Sequence, residues 1–344
     1  MTTLWEVINF KVQTSAQNNT SDSIFANGQM QAKVIVTIRA IDASTGANYQ
    51  LTKAELEGIK LINYYSKNEL KGNWFYSTTE NDFAHTLPRA GDPVEPIADG
   101  TQSISFWVSS TQIGNENIAA QISQPGAVQS TVITTTGGSF ESMVTLEAIQ
   151  PITYTQSNVT FTREDTAQGT WKRTSASGTS TYGWDQDNYY LSSDFYPFLK
   201  VNRHGVDTTG KENGIGSTAE MQDSFAFLRV DSTDISIFYM FDMGTAKTVT
   251  RGLSTYSFTA SYFRTADIKI NQRPNALCLT RLRFINGHVS LSNWNAGAWF
   301  TIYDLYGNYG HFTVNINSQN TMSISSRNIR SPVESDSIER AAKI

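Results

Sequence analysis

The chain is poor in cysteine, proline and charge. One cysteine, Cys278, in 344 residues excludes an intrachain disulfide. It lies in the apolar run Ala276-Leu-Cys-Leu279, which predicts a buried strand thiol. No oriented histidine accompanies it locally, so a nucleophile is not expected there. Charged residues make up 17% of the chain, against about 25% in an average domain. The net charge is −5 and no basic block occurs. Nucleic acid is therefore excluded as an expected partner, because phosphate backbones demand clustered Lys and Arg. Long apolar runs are also missing. None reaches the ~18 residues of a membrane-spanning helix. The opening MTTLWEVINFKV has no basic stretch, apolar core and small-residue cleavage site in succession, so no Sec signal peptide is predicted. The expectation is synthesis in a cytoplasm, with any extracellular or particle-associated role reached by another exit route.

Catalytic and cofactor motifs are missing too. The four histidines, His85, His204, His288 and His311, form no H-x-x-x-H, and no C-x-x-C exists. There is no G-x-S-x-G elbow, no Walker A loop and no dinucleotide fingerprint between a strand and a helix. The glycines of Gly210 to Gly216 lie in a polar loop with no helix behind them. Neither an enzyme nor a cofactor is expected.

Aromatics are plentiful: Trp 7, Tyr 15, Phe 18. Strands favour aromatic and β-branched residues. The clearest strand lies inside Asn27–Gly46. Ala32, Val34, Val36, Ile38 and Ala40 fall on one face and Lys33, Ile35, Thr37, Arg39 and Ile41 on the other. Asp42-Ala-Ser-Thr-Gly46 then supplies a turn. Leu4, Ile8, Phe10 and Val12 read as one face of a first strand, with Trp5 and Val7 on the other. Thr52 and Glu55 have the spacing of a capping box and predict a short helix near 53–57, stopped by Gly58. Asn81 to Gly100, with Pro88, Pro93 and Pro96, reads as a long irregular loop. Strand candidates follow at Gln102–Ser109, Asn117–Ser123, Gln129–Thr135 and Phe140–Ala148.

These spacings predict an all-β chain of two β-sandwich domains. The first covers 1–150. Within about 25–150, Ala26-Asn-Gly-Gln, the VIVTIRAID strand with its Asp-x-x-x-Gly turn, and Asp99-Gly-Thr-Gln-Ser-Ile-Ser-Phe-Trp-Val-Ser-Ser-Thr-Gln-Ile-Gly114 before Ile118-Ala-Ala carry a likeness. This stretch resembles bacterial immunoglobulin-like repeats of the invasin and intimin type. It departs from them in the helix-like segment, the Pro-rich loop and a missing Asn-Pro after the first turn. The resemblance implies an immunoglobulin-like sandwich with a spacer or adhesion role and no catalytic residues.

Residues 151–180 read as a linker or connecting strand, since Thr170 to Gly183 is small and polar. The second sandwich, 181–330, is expected to be jelly-roll-like with about eight strands. Its candidates include Ser224–Val230, Ile235–Phe241, Tyr256–Phe263, Leu277–Ile285, Val289–Leu291, Trp299–Tyr303 and Phe312–Ile316. Asn286-Gly287 is a two-residue hairpin signal. The tail, 331–344, predicts a short helix capped by Ser335 or Asp336.

The candidate ligand-binding residues are Trp184, Asp185, Asp187, Tyr189 and Trp294. Sugars stack on aromatic rings while carboxylates bond their hydroxyls, and sites mix apolar walls with a few polar groups. Asp185 and Asp187, two apart in an expected loop, are also a calcium candidate, although the EF-hand Gly and Glu are missing. The leading expectation is a non-enzymatic structural or adhesive protein that binds a surface or assembles with itself. Its partners would be its own copies or a cell-surface glycan or protein. One alternative is a pore-forming β-rich toxin, with Gln129–Ala148 or Leu253–Tyr262 as the inserting hairpin and a membrane as partner. The other is a lectin.

Overall fold

The structure, a computed structural model, describes residues 4–87, 101–211, 219–231, 233–287, 289–317 and 320–328. The expected tail helix, His288 and most of the Pro-rich and Gly210–Gly216 loops lie outside the described residues. The fold is all-β. The chain forms two compact units, Met1–Ile152 with Tyr306–Asn308, and Thr153–Leu305 with Tyr309–Ile344.

The first unit contains β1 (Trp5–Thr14), β2 (Ser21–Phe25), β3 (Ala32–Asp42), β4 (Asn48–Tyr49), α1 (Lys53–Glu57), β5 (Lys60–Asn63), β6 (Trp74–Ser77), β7 (Gln102–Ser110), β8 (Gly114–Gln124), β9 (Thr131–Thr134) and β10 (Val144–Ile149). One sheet runs β1-β3-β7-β6 and the other β2-β10-β8-β5, with β4 and β9 appended. The first is the A-B-E-D order of an immunoglobulin sandwich, and β10-β8-β5 is its G-F-C order. β2 pairs with β10 in parallel.

The alternation of β3 is realised: Ala32, Val34, Val36, Ile38 and Ala40 are buried. Ile35 and Thr37 are buried as well, so both faces of this central strand are covered. Asp42 accepts from the Ser44 and Thr45 amides at 2.8 and 2.9 Å, closing the turn that ends the strand. α1 carries the full capping box: the Glu55 amide donates to Thr52 Oγ1 at 3.3 Å, and the Thr52 amide to Glu55 Oε2 at 2.7 Å. The assignment of β1 faces needs correction. Its register against β3 slips between Val7 and Asn9. This bulge puts Trp5, Val7, Phe10 and Val12 together in the interior and leaves Ile8 43% exposed.

The second unit contains β11 (Thr160–Ser175), β12 (Gly178–Ser192), β13 (Phe198–His204), β14 (Ser224–Val230), β15 (Asp234–Met240), β16 (Lys247–Tyr256), β17 (Ala260–Ile270), β18 (Leu277–Phe284), β19 (Trp294–Asn295), β20 (Trp299–Asp304), β21 (Tyr309–Ile316) and β22 (Met322–Ser326). An eight-stranded sheet runs β16-β17-β11-β12-β18-β15-β14-β19, and a four-stranded sheet β13-β20-β21-β22. Half of the neighbouring pairs are consecutive strands, and half are joined by longer connections. Where a jelly roll has eight strands, this unit divides its strands between sheets of eight and four. The segment read as linker or connecting strand is largely β11, paired along its whole length with β12. Its sequence lacks an apolar stripe because strand pairing holds it, with β12 along its length and with β17 from Lys172 to Ser175. The strand expected at Tyr256–Phe263 is interrupted by a turn at 257–259, with Tyr256 ending β16 and Ala260–Phe263 opening β17. After Asn286-Gly287 no strand forms at Val289–Leu291, so that hairpin is not made.

The larger sheet coils on itself. β17 pairs with β11 only from Ala260 to Phe263. Farther along, Ala266, Ile268 and Ile270 pack with Tyr190, Ile235, Ile237, Cys278, Leu282 and Phe284 in one apolar core. The sheet's other face buries Leu191, Leu279, Phe238 and Met240. Arg203 of β13 reaches the Met240 carbonyl of β15 at 2.5 Å and ties the smaller sheet to the larger.

Candidate functional site

The stretch Trp184-Asp-Gln-Asp-Asn-Tyr-Tyr190 was expected in a loop. It lies inside β12, between β11 and β18. Strand alternation therefore splits the candidate residues. Trp184 shares a face with Gln186, Asn188 and Tyr190, toward the core. Asp185, Asp187 and Tyr189 share the opposite face.

On the core side, Gln186 and Asn188 are fully buried. Once β17 leaves β11, its backbone at Lys269 has no strand on that side. Buried backbone groups need partners, and these two amides supply them. Gln186 Nε2 and Asn188 Nδ2 donate to the Lys269 carbonyl at 2.6 and 2.8 Å, and the Lys269 amide donates to Gln186 Oε1 at 3.0 Å. Thr280 Oγ1 donates to Asn188 Oδ1 at 2.6 Å, and Asn188 Nδ2 also donates to the Tyr190 hydroxyl at 2.9 Å. Trp184 packs against the same core, its ring lying over Gly169 of β11, where a Cβ would sit 2.6 Å from the ring.

On the other side, carboxylate oxygens of Asp165, Asp185 and Asp187 lie within 4.8 Å of one another. Asp165 and Asp187 are directly opposite across β11 and β12, a like-charge pairing that is unfavourable alone. Arg281 of β18 compensates it. Its buried guanidinium contacts Asp185 and lies 2.5 Å from Asp187, and Arg163 approaches Asp187 at 2.9 Å. Burial pushes the Asp185 carboxyl above its ordinary pKa, and the Arg281 charge opposes that. The positive charge a calcium ion would bring is thus already supplied by guanidinium groups. The carboxylates hang from the middle of a strand, without the flexible loop that wraps oxygen ligands around calcium.

Beside this cluster, Gln168, Gly169, Thr170, Gly183, Trp184, Asp185, Asp234, Arg283 and Ile285 line a shallow groove of about 620 Å³. Arg283 donates to Asp234 through Nε at 3.0 Å and a terminal nitrogen at 2.6 Å, so its charge is also matched within the chain.

The remaining candidates are dispersed. Tyr189 is buried, stacked on Phe161 at 5.6 Å. Trp294 sits on edge strand β19, opposite Phe227, and packs on the core. His85 accompanies Glu80 at 3.0 Å and Trp107. His204 stacks on Trp299 at 3.6 Å. His311 sits 2.8 Å from the Thr301 hydroxyl, its pKa lowered by burial. Cys278 is buried, and burial raises its thiol pKa.

The end of the β16–β17 hairpin lies within Leu253–Tyr262, the segment named above as an inserting hairpin, but the sequence did not single out its exposed rings. Phe258 stands fully exposed and Tyr256 is 72% exposed. Phe263 is 40% exposed, and Tyr256 meets it edge-on at 5.9 Å. The available signal was Ser257-Phe-Thr259, an aromatic residue between turn-forming hydroxyls. No protein-family model matches the chain, and no curated protein matches it.

Proposed function

We propose that this is a non-enzymatic β-protein that works by contact, attaching to a surface or to further copies of itself in a larger particle. One observation carries the reading. Gln186, Asn188 and Asp187 in the interior of the second unit are matched by partners within the chain, whereas Tyr256 and Phe258 stand in water at the end of a hairpin. The A-B-E-D and G-F-C strand orders support a spacer role for the first unit, of the kind found in invasin and intimin repeats.

The membrane-active alternative retains one of its two segments. Leu253–Tyr262 is a hairpin with an aromatic apex. Gln129–Ala148 is not, because β9 and β10 each pair with β8. The lectin alternative keeps Trp184 and Asp185 on one groove, but their side chains leave opposite faces of β12 and Arg281 engages the Asp185 and Asp187 carboxylates.

Light scattering behind size exclusion, electron microscopy of concentrated protein and binding to whole cells test the proposal. Oligomers, particles or saturable cell binding are expected, each reduced in a Tyr256→Ser, Phe258→Ser variant. A strict monomer that binds no cells overturns it.

A further inference from the structure

We propose that the paired ends of β16, β17 and β11 form a docking surface for an anionic lipid bilayer. This rests on the contact reading above and names the surface.

The first support is geometric. The turn closes with the Ser257 amide donating to the Ala260 carbonyl at 2.8 Å, while Ser257 Oγ accepts from the Ala260 amide at 3.0 Å. The turn backbone is thereby satisfied locally, and Phe258 is held at the apex without help from other elements. Register places Ser254 opposite Phe263 and Ser261 opposite Tyr256. Lys172 of β11 is opposite Phe263 on the other side. Tyr256, Phe263 and Lys172 therefore share one face below Phe258, and Lys172 is exposed.

The second support is charge. The chain is net acidic at −5. Residues 168–184 and 250–266 nevertheless contain Lys172, Arg173, Arg251 and Arg264 and no Asp or Glu. Arg251 and Arg264 are taken up inside, the first by Asp223 at 2.7 Å and the second, buried, by the Gly287 carbonyl. Lys172 remains in water, and Arg173 lies over the Tyr262 ring at 5.2 Å. Apart from Gln168 and the rings, the remaining exposed positions are Ser, Thr, Ala and Gly.

Exposed rings, a cation on a flexible stem and small hydroxyl residues match the boundary between headgroups and acyl chains. Rings settle there, lysine stems extend their charge outward, and anionic lipids attract the basic residues. A sugar site would set carboxylate acceptors beside the rings, and this end of the hairpin has none.

The test is flotation of the full chain with vesicles of phosphatidylcholine alone and with one quarter phosphatidylglycerol. Binding to the anionic vesicles is expected, weakened by raised salt. Phe258→Ser should lower the partition coefficient about tenfold or more, and Lys172→Glu should lower it several-fold. Both side chains are exposed, and unchanged thermal melting confirms folding. Absence of binding to either vesicle, or binding indifferent to both variants, overturns the proposal. Light scattering of the same samples separates it from the broader reading: Phe258-dependent oligomers without vesicle binding remove the lipid surface and leave self-assembly standing.

Discussion

Around Gln186 and Asn188 the protein buries polar side chains; around Phe258 it exposes apolar ones. Both arrangements run against ordinary sorting, in which apolar groups go inside and polar groups remain wet. The buried amides have a structural explanation: they replace a strand that β17 has left behind, and every hydrogen bond they make lies within the chain. Phe258 has no such explanation. Its turn closes without using the ring, and the ring packs nothing. The lesson is that an unusual polar cluster can be scaffolding, while the exposed ring of Phe258 is what the docking proposal rests on.

Three substitutions probe this contrast. Arg281→Met strikes its buried half hardest, because it leaves Asp187 as a buried carboxylate without its nearest cation. Losing one partner of a buried ion pair costs about 3–5 kcal/mol. The expected urea midpoint falls sharply, and a loss below about 1 kcal/mol would mean the carboxylate cluster is not held as described. Asn188→Leu strands the Thr280 hydroxyl and removes one of two side-chain donors to Lys269. About 1–3 kcal/mol is expected, with faster amide exchange along β17 as an independent readout. Phe258→Ser should alter stability by less than about 0.5 kcal/mol, as exposed sites do. A large destabilisation would show that the ring serves the fold.

Local chemistry was legible in the sequence. The inward face of β3, the Asp42 turn and the Thr52–Glu55 capping box each depend on residues close together in the chain, and each stands where the spacing put it. What failed depended on distant partners. One bulged residue in β1 exchanged its faces. β11 has no apolar stripe to announce it, because β12 and β17 hold it by hydrogen bonds. The candidate site was misread for the same reason. Asp185 and Asp187 looked free until β18 set Arg281 beside them, and nothing near residue 185 signals a partner near 281. Trp184 was grouped with the carboxylates by adjacency, whereas alternation turns neighbours away from each other.

The parallel pairing of β2 with β10 governs when the first unit can finish folding. Ser21 must meet Thr145, and Phe25 must meet Ile149. Contacts so far apart in sequence form slowly, since loop closure comes before any reward. On the ribosome, β8 emerges well ahead of β10, and its Gly114–Ile118 segment waits with an unpaired rim. That rim is a template for a stray strand from another chain. The interval between synthesis of Ile118 and Ile149 is therefore the period in which a crowded polysome is most exposed to intermolecular mispairing.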